Sequence, residues 1–429
     1  MFTHRTGKRA LAIIAGTALA LGLASCSSTP DEAEESGPVE LRMAWWGGDG
    51  RHELTNQVLD LFEEQNEGIT VVRDFGGFDG YLDKITTQYT GSNSPDVFQF
   101  YNEVLVEFAS RGQLYDLNKA VKEGNLSLDG WPKDIIDMNT VDGELSALTF
   151  GLSTQGFIFD EALSSEYGVE IPADGYTWED LADYGTAIRE ASGGKVAGVT
   201  DLSHSYQVFE VFAKQRGEEF LTASGLGFTE KTLTDFWTYW ESMRSSGAAT
   251  SPDISTEYLG TPYDAVIAKV AASTFLFVNQ YESVTKNTPN PISVMRMPSE
   301  AKKPGQYLRP AMNLVISKQT KHPAEAAKLI DFLLNSPEAN KILGIDRGVP
   351  ANGDVVAAAT DGVNDTVTKS IAIIESVREK GSPAPVPAPA GSGAVNTLFS
   401  EVAQQLQFGS ITPKDAAAQF MDQAASELG

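Results

Sequence analysis

Short apolar runs alternate with amphipathic segments over the first hundred residues after position 38. The runs at 39–45, 69–75 and Val97–Phe100 are rich in β-branched and aromatic residues, which predicts three strands. Between them, apolar residues recur at helical spacing over 51–66 and Tyr81–Thr90, which predicts two helices. Strands that alternate with helices are typical of an α/β fold, in which a parallel sheet is flanked by helices.

The same alternation continues along the rest of the chain, and capping signals mark several helices. Thr177 stands three residues before Asp180, ahead of an apolar period, which predicts a capping box at a helix start. Prolines at 323, 337 and 413 are each expected in the first turn of a helix, where the missing N–H costs no hydrogen bond. The proline-rich segment 384–389 predicts an extended loop.

A leader precedes this alternation. Arg5, Lys8 and Arg9 stand before an apolar stretch at 10–24, which is shorter than a membrane span and typical of a secretory signal. Leu23-Ala24-Ser25-Cys26 resembles a bacterial lipobox, which implies cleavage after residue 25 and a lipid on the Cys26 sulfur. We therefore predict a signal peptide at 1–25, a lipid anchor and an acidic, disordered tether at 26–38. The alternative is an ordinary secretory signal with a chance cysteine.

Charge and cysteine content restrict the partners and the chemistry. The chain has 32 basic and 58 acidic residues, a net charge of −26, which becomes −29 when the three leader cations are removed. Such a charge argues against binding to nucleic acid or, through the protein itself, to an anionic membrane.

Cys26 is the only cysteine, so a lipidated chain has no thiol for a disulfide, a metal or a nucleophile. About 400 mature residues predict two domains.

Catalytic signatures are mostly missing from the sequence. It contains no phosphate-binding loop, no H-E-x-x-H zinc motif and no G-x-S-x-G nucleophile elbow. We expect no metal and no cofactor. Glycoside hydrolysis stays open, because it needs only two suitably placed carboxylates.

Aromatic residues stand at the predicted carboxyl ends of strands, next to polar residues. In open α/β sheets ligands bind beyond these ends. A flat ring can cover the C–H face of a sugar while polar groups bind its hydroxyls. We expect ring faces from Trp45, Trp46, Tyr101 and Tyr281. The expected polar partners are Asp49, Arg51, Glu103, Asn279, Gln280 and Arg309. The competing interpretation is that these aromatics are core residues, above all Trp46, since alternation along a strand turns one of two adjacent tryptophans inward.

Several motifs, taken in order, resemble the extracellular solute-binding proteins of bacterial ABC importers, in the carbohydrate-binding group that includes the maltose-binding proteins. The motifs span nearly the whole mature chain: Tyr81-Leu82-Asp83-Lys84-Ile85, Ser94-Pro95-Asp96-Val97, Gly112-Gln113-Leu114, Thr177-Trp178-Glu179-Asp180-Leu181, His322-Pro323, Ser336-Pro337-Glu338 and Arg347-Gly348-Val349-Pro350. Two places depart from the pattern. Phe159-Asp160-Glu161 replaces the Tyr-Asn-Lys that is common in the family, and Tyr281 replaces the usual tryptophan.

The resemblance implies two α/β lobes, each a mainly parallel sheet flanked by helices, with the ligand in the cleft between them. It places lobe 1 at 39–150 plus 312–346 and lobe 2 at 153–309 plus 349–429. The implied crossings between the lobes lie near Gly151, Pro310 and Gly348. The glycines at the first and third of these suit a segment that absorbs backbone rotation.

The sequence and the resemblance together predict a monomeric, non-catalytic binding protein that is attached outside the cytoplasm by Cys26. It would deliver a sugar or oligosaccharide to the membrane permease of an importer. Two alternatives remain. The same scaffold could bind an anionic or other small polar solute, for which Arg51, Arg309 and Arg347 are candidate cations, or the chain could be a secreted glycoside hydrolase.

Overall fold

The computed structural model of the chain describes residues 37–258, 264–299, 303–389 and 391–428. The predicted signal peptide, Cys26 and nearly all of the tether lie outside these residues.

Thirteen strands are found within the described ranges. They are β1 (Val39–Trp46), β2 (Ile69–Gly76), β3 (Val97–Phe100), β4 (Thr140–Val141), β5 (Glu144–Leu145), β6 (Leu148–Ser153), β7 (Gln155–Asp160), β8 (Glu219–Thr222), β9 (Gly225–Gly227), β10 (Ser273–Phe277), β11 (Ile292–Met295), β12 (Arg309–Ile316) and β13 (Val349–Pro350).

The helices of the same ranges flank these strands. They are α1 (Asp49–Gln65), α2 (Tyr81–Thr90), α3 (Leu105–Ser110), α4 (Leu117–Glu123), α5 (Lys133–Met138), α6 (Glu161–Glu166), α7 (Trp178–Ala191), α8 (Tyr206–Gln215), α9 (Glu230–Ser246), α10 (Pro252–Glu257), α11 (Asp264–Ile267), α12 (Tyr281–Lys286), α13 (Pro323–Asn335), α14 (Pro337–Leu343), α15 (Val356–Ala359), α16 (Asp365–Lys380), α17 (Ser392–Gln407) and α18 (Pro413–Leu428). Short 3-10 turns lie at Asn102–Val104, Val278–Gln280 and Gly353–Val355.

Local sequence signals located these elements closely. Helix α2 and strand β3 have the predicted bounds, and β1, α1 and β2 differ from prediction by one or two residues. The capping box is confirmed, because the Thr177 side chain accepts a hydrogen bond from the Asp180 backbone and the Asp180 side chain accepts one from Thr177. Helices α13, α14 and α18 begin at the three predicted prolines.

The first sheet has six strands in the order β13-β6-β12-β3-β1-β2. Strand β1 runs parallel to β2 and β3, whereas β12 is antiparallel to β3 and β6, and β13 is antiparallel to β6. The second sheet, β10-β7-β11, is antiparallel throughout. The α/β class is therefore confirmed, but the expectation of mainly parallel sheets is wrong. Strands β12 and β13 enter the first sheet from far along the chain, and local periodicity carries no information on their direction.

Each sheet lies between two groups of buried side chains. On β1, Leu41, Met43 and Trp45 face a core shared with α1 and α13, while Ala44 and Trp46 face the opposite core beside α2 and α3. The second sheet packs on a large aromatic core formed with α7, α8, α9, α17 and α18. A smaller core on its other face lies under α12.

Three segments lie side by side where the first sheet leads into the second: the end of β6, the start of β12 and β13. Strand β6 continues through Thr154 into β7, and its last residues pair with the first residues of both β12 and β13. Pro310 pairs with Leu152, and Pro350 pairs with Gly151. Gly151 has no space for a side chain, since a Cβ there would lie 2.3 Å from the Arg347 carbonyl oxygen. Close backbone packing at the crossings therefore requires glycine at this position.

The carboxyl-terminal segment begins on the first sheet. Strand β13 pairs with β6, and α15 packs on α14. Helix α16 contacts β11 and α12. The predicted lobe boundaries stay predictions. No described helix has the length and hydrophobicity of a membrane span.

Candidate functional site

Several of the residues predicted to bind the ligand lie at one edge of the first sheet. Strands β1, β2 and β3 end at this edge, and the antiparallel partner of β3, β12, begins there with Arg309. Strand β6 ends at the same edge with Ser153, which pairs with Arg309, and continues into the second sheet. Residues that follow β1 and β3 are thus brought next to the crossings between the lobes, as the rule for open sheets predicts.

Three aromatic side chains form a cluster at this edge, which we call the aromatic platform and define as Trp46, Phe78 and Tyr101. Their ring centroids lie 5.7 Å apart for Trp46 and Phe78, and 6.1 Å apart for both Trp46–Tyr101 and Phe78–Tyr101. Trp46 is 7% exposed, Tyr101 is half-buried and Phe78 is 58% exposed. The platform therefore has one exposed ring, Phe78, beside a half-buried ring and a buried one.

Phe78 was not among the residues predicted from the sequence. It follows Gly76 and Gly77 directly after β2, so it obeys the same rule of an aromatic beyond a strand end. That rule could have found it.

Trp45 and Tyr281 require correction, since neither has a ring face that a ligand could reach in this structure. Trp45 is 0% exposed, donates from Nε1 to His52 Nδ1 at 3.1 Å and stacks on Phe75 at 4.9 Å. Tyr281 is 1% exposed and donates its hydroxyl to the Ile292 carbonyl oxygen at 2.6 Å. Both are core residues. Trp46 is buried as well, in the core on the opposite face of the sheet.

Arg51 and Arg347 belong to an internal ion-pair network. Arg51 Nε lies 2.6 Å from Asp346 Oδ2, and its Nη2 donates to the Asp346 carbonyl oxygen at 3.0 Å. Arg347 is 3% exposed and donates to Gln99 Oε1 at 2.9 Å and to Thr55 Oγ1 at 2.7 Å. Burial, with the nearby Arg51 charge, lowers the pKa of Arg347 to about 9, against the opposing effect of Asp346. These contacts fasten the segment before β13 to α1 and β3.

The remaining predicted polar residues lie close to the crossings. Asp49 is exposed in the first turn of α1, and Glu103 is the middle residue of the turn Asn102–Val104. Asn279 and Gln280 are exposed in the turn after β10. Asn279 accepts a hydrogen bond from Ser153 Oγ at 2.8 Å and lines a cavity of about 340 Å³ together with Asp346. Roles for these residues in ligand binding stay predictions.

A second cavity lies between the two lobes, with a volume of about 60 Å³. Its polar lining residues come from both lobes and from the start of α17. They are Asn102, Tyr206, Glu210, Tyr307, Arg309, Ser392 and Asn396. Helix α17 also contacts the turn Asn102–Val104, which follows β3 of the first sheet. The two lobes thus meet across this cavity. Its volume is well below the several hundred Å³ that a ligand pocket usually occupies.

Glu210 is an acidic residue of the cavity lining that was not predicted from the sequence. It lies in α8, is 7% exposed and accepts a hydrogen bond from the Tyr307 hydroxyl. Burial raises the pKa of Glu210, while the Tyr307 hydrogen bond and the charges of Lys214 and Arg309 oppose the rise. A glutamate within an amphipathic helix has no sequence signal that separates it from a solvent-facing charge.

Arg309, which was predicted, lines the same cavity and places its guanidinium 5.0 Å from the Phe277 ring centroid. The structure therefore brings Trp46 and Tyr101 together with Phe78 at the edge of the first sheet. It brings Arg309 together with Asn102 and Glu210 around the second cavity. Among the residues that the structure describes, no cluster of His, Cys, Asp and Glu is placed to hold a metal ion.

A family model for bacterial extracellular solute-binding proteins matches residues 57–371, well over half of the chain. The chain belongs to this family. Membership means that the protein binds a solute outside the cytoplasm. A fold with two lobes around a cleft suits that task, and the expected fold class and family are thereby confirmed.

Solved structures of similar fold cover nearly the whole chain. An extracellular solute-binding protein of family 1 from Alicyclobacillus acidocaldarius is 26% identical, with a TM-score of 0.74 over 92% of this chain and 100% of that chain. A periplasmic oligogalacturonide binding protein from Yersinia enterocolitica is also 26% identical, with a TM-score of 0.75 over 91% and 100% of the two chains. A Listeria monocytogenes ABC substrate-binding protein, solved with cycloalternan, is 20% identical with a TM-score of 0.76 over 90% and 98%, which shows the fold alone.

Proposed function

We propose that this solute-binding protein captures an uncharged oligosaccharide in the cleft and delivers it to the permease of an ABC importer. The observation that carries the proposal is the aromatic platform at the edge of the first sheet, with Phe78 exposed and Trp46 and Tyr101 behind it. An exposed ring next to polar groups of the cleft suits a sugar, which has an apolar C–H face and a polar rim. A structural neighbour that is described as an oligogalacturonide binding protein supports a carbohydrate ligand.

The disposition of the cations favours an uncharged ligand over an anion. Arg51 is paired with Asp346, and Arg347 is buried and engaged by Gln99 and Thr55. Arg309 lines the same cavity as Glu210. An anionic solute would have to compete with these acids for the cations, in a protein whose overall charge already repels it.

Binding requires the lobes to move in this proposal. The cavity of about 60 Å³ is too small for a sugar ring. The ligand would enter a more open form, and closure of the lobes around it would shift the population toward the closed form. The adjacent segments at the end of β6, the start of β12 and β13 are the elements that would absorb the rotation.

The remaining parts of the proposal are a lipid anchor on Cys26 and the absence of catalysis. The lipobox-like motif supports the anchor, and membership in a family of binding proteins supports a non-catalytic role. Asp49, Glu103, Asn279 and Gln280 are proposed as additional polar contacts at the cleft.

A thermal-shift panel tests the ligand class. The purified chain, without its leader, is heated alone and with neutral malto-, cello-, xylo- and galacto-oligosaccharides, with trigalacturonic acid and with a set of amino acids and phosphodiesters. A ligand at 100 times its Kd stabilises the folded state by about 2.7 kcal/mol. We expect a neutral oligosaccharide to give the largest shift and to be recovered uncleaved by chromatography. A shift only with non-sugars, or the appearance of hydrolysis products, contradicts the proposal.

A further inference from the structure

We propose that Ser392 and Asn396, in the first turns of α17, bind hydroxyl groups of the ligand and thereby select an uncharged sugar. Both residues line the cavity of about 60 Å³ between the lobes. The inference rests on the proposed function, since it assumes that a carbohydrate occupies this cavity.

Neither side chain forms a hydrogen bond within the part of the chain that the structure describes. Ser392 is 3% exposed, and its backbone N–H donates to the Pro389 carbonyl oxygen, whereas its hydroxyl is unpaired. Asn396 is half-buried, and its Oδ1 is both buried and unpaired. Buried polar groups in folded proteins nearly always have partners. Two unpaired side chains in the wall of one cavity therefore indicate groups that a ligand satisfies.

The local needs of the helix do not account for the two residues. The residue that caps α17 is Gly391, with a φ of 86°, and no side chain forms a capping hydrogen bond there. Asn396 lies one turn inside the helix, where asparagine is less favourable than alanine or leucine. Ser392 and Asn396 are thus polar residues that the helix itself does not require.

The position of the two side chains suits a sugar ring. Residues four apart are neighbours on one face of an α-helix, about 6 Å apart along its axis. Pro385 and Ala388, from the proline-rich segment before α17, line the same cavity with apolar groups. These two residues are three apart, so they share one face of a polyproline helix. A ligand between them and α17 would meet an apolar wall and two polar groups, which match the C–H face and the hydroxyls of a sugar.

The chemistry of the Asn396 amide favours hydroxyl groups over charged groups. A hydroxyl both donates and accepts, so neighbouring hydroxyls of a sugar can pair with the amide oxygen and the amide nitrogen together. A carboxylate or phosphate only accepts hydrogen bonds, and an ammonium group only donates them. Either would leave one half of the amide unpaired in a poorly solvated space, which is costly. Selection of an uncharged ligand follows from this hydrogen bonding.

Two substitutions separate this role from a structural one. Ser392→Ala and Asn396→Leu each remove a polar group that has no partner in the fold, so the free energy of unfolding should equal or exceed that of wild type. Each should weaken sugar binding at least about fivefold, because ligand hydroxyls would be left unpaired in the closed cleft. Residues that only supported the fold would instead lower its stability.

The experiment uses the neutral malto-, cello-, xylo- and galacto-oligosaccharides of two to six units as probes. Calorimetric titration gives the Kd of each sugar that binds wild type, and urea denaturation of the ligand-free proteins gives their stability. Gln405→Leu is the matched control, because it removes an exposed amide from the same helix outside the cavity. Its Kd should stay within about twofold of wild type.

Three outcomes overturn the inference and leave carbohydrate binding standing. The first is a wild-type Kd in Ser392→Ala or Asn396→Leu, which would show that water alone satisfies the group concerned. The second is a lower urea midpoint in both variants, which would assign the two side chains to the fold. The third is an equal loss of affinity in Gln405→Leu. Failure of wild type to bind any of the probes would instead refute the proposed function and the inference with it.

Discussion

Two aromatic residues near the same sheet edge should separate ligand binding from fold stability. Phe78 is 58% exposed on the aromatic platform, whereas Trp45 is fully buried at the end of β1. We predict that Phe78→Ala weakens sugar binding and leaves the fold almost unchanged. Trp45→Ala should do the opposite, lowering the free energy of unfolding strongly.

The magnitude for Phe78 follows from its exposed area. A phenylalanine side chain has roughly 200 Å² of surface, so about 115 Å² of this one faces solvent at 58% exposure. A sugar ring that covers half of it removes about 55 Å² from water, which contributes about 1.4 kcal/mol or about tenfold in Kd. The ring contacts with Trp46 and Tyr101 are worth about 1 kcal/mol or less to the fold.

The magnitude for Trp45 follows from its complete burial. Removing the indole leaves a cavity against Leu41, Met43 and Phe75 and deprives His52 Nδ1 of its donor. Substitutions of this kind cost about 3–5 kcal/mol of unfolding free energy. Any Trp45→Ala protein that remains folded should bind sugar with nearly the affinity of wild type.

Urea denaturation followed by circular dichroism measures the unfolding free energy, and calorimetric titration with the tightest-binding neutral oligosaccharide of the panel measures Kd. Wild type and the two variants are compared at the same pH and salt. Phe78→Ala with wild-type affinity would show that the platform is not where the sugar stacks. A Trp45→Ala protein with wild-type stability and a tenfold weaker Kd would show that the burial argument is mistaken.

Four other outcomes are expected. Gly151→Ala should lower the free energy of unfolding by about 2–3 kcal/mol, because its Cβ would lie 2.3 Å from the Arg347 carbonyl oxygen; a urea midpoint equal to that of wild type would contradict this. Since burial raises the pKa of Glu210, the folded state retains that proton at pH values where the unfolded state has lost it. The resulting stability is present below about pH 4.5 and is lost as the pH rises through the raised pKa. The difference in unfolding free energy between Glu210→Gln and wild type should therefore grow in favour of the variant from pH 4 to pH 8. A difference that does not change with pH would refute the raised pKa of Glu210. Small-angle scattering should show a smaller radius of gyration with saturating neutral oligosaccharide than without, and equal radii would count against lobe closure. Cys26→Ala should abolish partitioning into detergent, and a mutant that partitions like wild type would rule out the lipid anchor.

The amino-acid sequence by itself located the secondary structure, because the signals involved are local. Helix α2 and strand β3 follow from apolar spacing, and the Thr177–Asp180 capping box and the helix-initiating prolines depend only on residues within one turn. The family could be inferred for a related reason, since its motifs are short segments in a fixed order. The rule that ligands bind beyond strand ends also placed Trp46 and Tyr101 at one edge of the first sheet, where the structure has them.

Only the tertiary structure decided the direction of β12 and β13, the burial of Trp45 and Tyr281 and the position of Glu210. Strand direction depends on pairing between segments that are far apart in the chain. Which face of β1 is more deeply covered depends on the helices that pack there, and alternation alone leaves both faces equivalent. Glu210 became a cleft residue because the chain returns about a hundred residues later, where Tyr307 donates a hydrogen bond to it and Arg309 lines the same cavity.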